Sequence, residues 1–565
     1  MKLFNFILIL NLSFFSVTGQ EKKDTGRFFG GFETNAQRYL EFENDEDSPE
    51  YFRSNNYLQL NYELKKWTFG MQVESYAKQA LLNYYPGFDG TNVATYFAKY
   101  KAKKLEATAG YFYEQFGSGM ILRAWEDRSL GINTALRGGK IFYKPTKDIK
   151  FKAFYGQQRS GFNVSKGQLY GFDMEANMTD WLSFEEANLE IGFSNVNRYE
   201  KIDPSLVSNP NFNPTTRAFS FRSSFSQDIF YSSFEVNYKS KDATLNRIDS
   251  SISNNFINDG NALQFNLGIA KDGLGIDLTF RRTENMLFTS ERIPEAVGLN
   301  QSSLDYSDKV INFTPALTKQ HHSNLANIYV YQAQAGVEFK SNEIMKSGET
   351  GGQIDVVYEF AKDTKFGGKY GTKLALNYAS WYNLPGTYRA IPAQYETNFF
   401  GVGEKYFSDC NVEVKKQFTE NSRASFLYVN QYYNKPWVED ASHAVNTNIF
   451  YVEWIYSMTN SKSIRIDAEH MWADADFKNW MGGSMEYNFN EKFSIYALDL
   501  VNYGNTKDKE EREKHYLTVG GAYRKGSTRV SLGYGRQRGG LVCVGGVCRF
   551  VPESTGISLS FNTAF

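Results

Sequence analysis

The charged residues best suited to chemistry concentrate in one stretch, where Glu114 is followed by Arg123-Ala124-Trp125-Glu126-Asp127-Arg128 and then by Arg137. Carboxylates among guanidiniums can pair, hold an ion or exchange protons with a substrate. Acid–base catalysis fits poorly, because Glu126 and Asp127 are adjacent and successive side chains on an extended chain face opposite ways. The same stretch carries Met120-Ile121-Leu122 and Trp125, more apolar surface than a loop in water needs. A segment of residues 114–137 that bends into a lumen satisfies both sets: apolar groups pack on an inner wall while Arg123, Arg128 and Arg137 pair with Glu114, Glu126 or Asp127. The plainer reading of the same residues is a salt-bridged loop packed against the wall.

Other candidates are thinner. His321-His322 has no carboxylate or cysteine at a metal-ligand spacing and reads as a pair packed in a loop or solvated. Asp474-Ala475-Asp476 lacks the glycine and later glutamate of an EF-hand. Cys543 and Cys548 flank Gly545-Gly546 in a hairpin-like stretch. A cross-strand disulfide in an exported chain, or zinc with two ligands still missing, are the two readings of that pair. Cys410 has no evident partner and reads as a small buried side chain. No nucleophile elbow, P-loop, dinucleotide fingerprint or HExxH occurs, so neither an enzyme nor a cofactor is expected. The acidic stretch 41–47 and the mixed run 507–514 read as solvated loops. With 62 Lys and Arg against 63 Asp and Glu, the net charge of −1 suggests no nucleic-acid partner.

The elements that must carry these residues are strands. Lys2 precedes an apolar run ending at Val17-Thr18-Gly19, the pattern of a signal peptide over residues 1–19 cleaved before Gln20. Beyond it the chain is polar, with a mean hydropathy of −0.49, yet it holds 47 Phe and 38 Tyr against 12 Pro. That balance suits a barrel whose strands alternate lipid-facing and lumen-facing residues. Thr68–Glu74 and Ile464–His470 alternate with period two. Such segments run ~9–11 residues, the length of a tilted membrane strand. Short polar turns, as at 63–66, 101–104 and 271–273, alternate with long connections, as at 116–135, 197–215 and 382–402, which sorts them onto two ends. Counting Ile328–Tyr331 as wall would break that alternation. The stretch from about 287 to 350 is therefore one external or lumen-filling excursion between wall strands at Gly275–Arg282 and Gln353–Phe360. The result is a single antiparallel β-barrel over residues 20–565 of about 24 strands (roughly 22–26), with no separate plug domain, wall-like sequence beginning at Arg27.

The last residues, Gly556 to Phe565, alternate and end on an aromatic ring. They resemble the assembly signal read by the outer-membrane barrel-assembly machinery, with Leu559, Phe561 and Phe565 at the matching positions and Thr563 the imperfect one. Taken with the signal peptide and the aromatic strands, the chain resembles the large outer-membrane barrels of Bacteroidota. Phe112–Gly119, Pro315–His322 and the Cys543/Cys548 loop are similar to an uncharacterised barrel family of that phylum. The resemblance implies an outer-membrane location in a Gram-negative bacterium, contact with its lipid and help from the assembly machinery, but no activity. Two functions stay open. One is a passive channel or small-solute transporter narrowed by inward loops. The other is a plugged barrel that docks partner proteins of an outer-membrane secretion, assembly or adhesion complex.

Overall fold

Alternation of apolar and polar residues leaves each segment with one apolar face and one polar face, and closing the segments on themselves leaves no backbone edge unpaired. The computed structural model has this form: 24 strands, each antiparallel to its chain neighbour, make one closed sheet. It describes residues 26–42, 51–77, 80–81, 87–182, 186–201, 213–242, 258–292, 295–296, 304–305, 309–339, 341, 343–389, 394–439, 442–506, 508–544 and 547–565. The expected signal peptide, residues 1–19, and most of the acidic stretch 41–47 lie outside these residues.

Wall strands run from 8 residues, as in Leu105–Phe112, to 16 in Arg27–Phe42. Closure comes from the first and last strands, where Arg27–Phe42 pairs with Ser554–Ala564, Thr34 standing opposite Phe561. Phe565 completes the seam. Its N–H donates to the Gly30 carbonyl and its own carbonyl accepts from the Gly30 N–H, at 3.0 and 2.9 Å, while its ring lies 6.4 Å from Phe28. A Cβ on Gly30 would sit 2.4 Å from the Gln59 carbonyl, so only glycine fits there. Leu559 faces outward from this last strand beside Leu532, its register partner.

Strand Leu274–Glu284 pairs directly with Gly348–Phe360. The described residues of 285–347 therefore form an excursion from the wall, and Ile328–Tyr331 belongs to it, following the short 3-10 turn Leu325–Asn327. The next wall strand starts earlier than expected, at Gly348 rather than Gln353, because Gly348–Gly352 continues the ladder. Both described termini of the wall lie at the end that carries the short turns.

The two faces separate cleanly. Phe450 and Trp472 point outward and are exposed, whereas Ile449, Tyr451 and Met471 point inward and are buried. Cys410 belongs to the outward set. It is exposed, not buried as expected, because Asp409 and Asn411 on either side take the inward positions of the strand Lys405–Gln417.

Placing Arg at outward Phe450, mid-strand in Ala444–Ser457, should reduce stability in lipid by about 2–4 kcal/mol. Urea titration of barrels refolded in vesicles should show this loss, and an unchanged midpoint would contradict the outward assignment.

Candidate functional site

The interior is where the charged candidates meet, and two segments of the chain's own loops occupy it. The first, residues 113–135, leaves the wall after Leu105–Phe112 and returns as Leu136–Tyr143. Its tip is fully buried: Phe116, Met120, Ile121 and Leu122 are each 0% exposed and pack on inward Phe154, Leu169, Val196, Ala218 and Ala262. Burial of each such side chain contributes about 1.5–3 kcal/mol relative to leaving it in water. Gly117 turns the tip at φ 55°, and a Cβ there would meet Arg222 at 2.4 Å.

The charged residues hold the segment's flanks, though not all in the expected pairs. Arg128 reaches Glu126 at 3.3 Å and Glu33 on the first strand at 2.9 Å, donates to Gln72 Oε1 at 2.9 Å and lies over the Tyr57 ring. Burial opposes its charge, but the Glu126 and Glu33 carboxylates hold the guanidinium above its ordinary range. Glu114 pairs not with arginine but with inward Lys140 and Lys152, at 3.2 and 3.3 Å. Asp127 closes a local turn by accepting from Ser129 Oγ and the Leu130 N–H. Arg123 stacks between Trp125 and Phe313, 4.4 and 3.9 Å from the ring centroids; burial pulls its guanidinium below the ordinary range. Arg137 does not enter the interior. Leu136 faces inward, so its neighbour faces out, opposite Tyr111.

The second segment, the described residues of 285–347, begins beside the first and is tied to it. The Arg123 N–H donates to the Ile311 carbonyl at 2.7 Å, Phe313 N–H to the Gly119 carbonyl at 2.9 Å, and Asn312 Nδ2 to the Met120 carbonyl at 2.9 Å. From there the chain crosses to the far wall, where Leu325, Tyr329 and Tyr331 pack against Trp381, Tyr433 and Ile449.

Wall carboxylates anchor it. Glu469 accepts from Ser323 Oγ at 2.6 Å, Asn324 Nδ2 at 3.1 Å and the Leu325 N–H at 3.2 Å, capping the short turn. Glu349 accepts from Arg281 Nη2 and Tyr331 Oη at 2.5 Å each and from the Gln334 N–H at 2.7 Å. Asp242 is shared by Arg198 and Arg292, at 2.6 and 2.8 Å. His321 lies buried with Nε2 2.8 Å from Asp409, while His322 is exposed. Asp476 takes Tyr329 Oη and Lys435, and Asp474 takes Asn446, so that turn is already hydrogen-bonded. Among the described residues no group of three or more His, Cys, Asp or Glu could hold a metal.

These wall carboxylates were missed in the sequence, although Glu469 and Asp467 stand at inward places of the alternating run Ile464–His470. A carboxylate at an inward mid-strand position is the signal that could have found them. In the last hairpin, Cys543 stands opposite Cys548 in register, and the side chains of both fall outside the described residues.

A closed wall with an apolar aromatic exterior and a polar interior filled by its own loops defines a large β-barrel resembling those of outer membranes. The chain belongs to a family of unknown function, DUF6029, the match running over residues 1–565. No curated protein matches it. Among solved structures it is similar to the siderophore receptor PirA of Pseudomonas aeruginosa, at 9% identity and TM-score 0.40 over 96% of this chain and 81% of that one. It is also similar to the P pilus usher PapC translocation pore, at 8% identity and TM-score 0.41 over 95% and 99%. OccAB3 of Acinetobacter baumannii matches at 8% identity and TM-score 0.32 over 96% and 98%.

Removing one partner of a buried ion pair costs about 3–5 kcal/mol, so Glu349→Ala should free the second segment while the wall persists. Limited proteolysis of folded barrel should then cut within 325–335, sites resistant in the unsubstituted protein.

Proposed function

We propose that this chain is an integral outer-membrane channel, exported by a cleaved N-terminal signal, through which small solutes diffuse past the two inward segments. The observation that carries the reading is uneven cover of the inner wall. Inward Leu169, Val196, Ala218, Val429 and Ile449 are each 0% exposed beneath the segments. On the strands from 480 to 564, toward the end with short turns, inward Ser558, Asn562, Arg524 and Arg529 are exposed. Small and hydrophilic side chains facing open space suit a wet passage beside a plug.

A second reading has its own support. The two segments are bonded to each other as well as to the wall, and a barrel so filled could serve as a docking subunit whose outer loops meet partner proteins.

Conductance in planar bilayers separates the two. The channel reading expects steady current from the purified protein and, on deleting residues 118–130, a rise of roughly twofold or more, since the tip occupies part of the lumen. A barrel silent before and after deletion, yet folded by heat-modifiable migration, supports docking instead.

We also propose that Cys543 and Cys548 form a disulfide that closes the last hairpin of the loop-bearing end, their opposed register being the support. Alkylation of freshly isolated membranes should label neither residue until a reductant is added; labelling of both beforehand would refute the bond.

A further inference from the structure

At the short-turn end of the uncovered sector, the inner wall holds a cavity of about 380 Å³, lined by Glu486, Glu491, Lys492, Arg524 and Arg529 together with neutral groups such as Asn562. Arg524 and Arg529 stand directly opposite each other on neighbouring strands. Two like charges in register repel unless an anion lies between them.

Three inward arginines elsewhere in this barrel each meet a carboxylate: Arg159 is matched by Glu74, Arg198 by Asp242 and Arg281 by Glu349, each within 2.6 Å. Among the described residues no carboxylate lies within 4.0 Å of Arg524 or Arg529. The parity of the strand Thr518–Lys525 turns Arg524 inward, since Tyr516 and Gly520 on the same face meet inward Trp480 and Tyr496. Lys492 adds a third cation from the adjoining turn, and Asn562 stands opposite Arg529 in register. Glu486, bonded to Asn488 Nδ2 at 3.2 Å, lines the same cavity.

We infer that this cavity binds a small oxyanion, a phosphate- or carboxylate-bearing solute, between the Arg524 and Arg529 guanidiniums. The planar donor forks match the oxygens of such a group, and the cavity falls within the size range of small-solute sites. Three cationic side chains against two carboxylates favour an anion of low charge. Because both arginines face the lumen, the oxyanion is a solute and not a lipid headgroup. In its transport consequence the inference rests on the channel reading: a cationic mouth makes the passage anion-selective.

The test titrates inorganic phosphate into the folded full-length barrel in zwitterionic detergent, by calorimetry. Saturable binding is expected, weakened at least about tenfold in the double variant Arg524→Gln, Arg529→Gln, and strengthened in Glu486→Gln, which removes a repelling charge. No saturable binding, or equal binding in the double variant, overturns the site. If the double variant does not fold, Glu486→Gln decides: unchanged or weaker binding overturns it. Titration with nanodiscs of phosphatidylglycerol identifies the other source, because dependence on the arginines seen with anionic lipid alone also overturns a solute site. In bilayers under a salt gradient the reversal potential should report anion preference, lost in the double variant. A silent barrel that binds phosphate overturns the channel and keeps the site; a conducting barrel that binds none does the reverse.

Discussion

Everything inside this molecule depends on the closing of its first strand against its last. A sheet of this length with a free edge would leave a row of unpaired N–H and C=O groups, each costing several kcal/mol wherever water is excluded. Pairing Arg27–Phe42 with Ser554–Ala564 removes that edge, and the backbone hydrogen bonds between Gly30 and Phe565 carry it to the last residue. Once the ring is closed, the inward side chains share an enclosed space, and any polar group there must find its partner inside.

That requirement explains the chemistry of the interior. Glu74, Asp242, Glu349 and Glu469 are buried carboxylates on the wall, and each is met by donors from another strand or from an inward segment. Such pairs gain little net stability, because desolvation offsets the attraction. They do fix geometry, since a segment that slid by one residue would leave charges unmatched. The apolar contacts of Met120, Ile121, Leu325 and Tyr331 supply the affinity, and the carboxylates supply the register.

Period-two alternation made the wall legible from sequence, including its strand number and the need to keep Ile328–Tyr331 out of it. The interior was less legible, for a physical reason. Alternation says which residues face in, but it does not say whether an inward polar residue meets water or a loop. Asp242 and Glu349 look the same in sequence as Arg524 and Arg529, yet the first pair is buried under excursions and the second is exposed. Within residues 114–137 composition pointed to inward burial, whereas partner choice depended on strands distant in sequence: Glu33 took Arg128, and Lys140 and Lys152 took Glu114. Arg137 was misplaced by treating it as loop; as a wall residue after inward Leu136 its direction followed at once.

The two inward segments both leave and re-enter the wall at the same rim, between strands that pair directly with each other. Topologically each is a hairpin dropped into a cup, not a thread passed through a ring. Either could be drawn out by its own rim without parting one hydrogen bond between wall strands. Emptying the barrel breaks only the bonds and packing that the segments make with each other and with the wall's inner face, and the wall that remains is already complete.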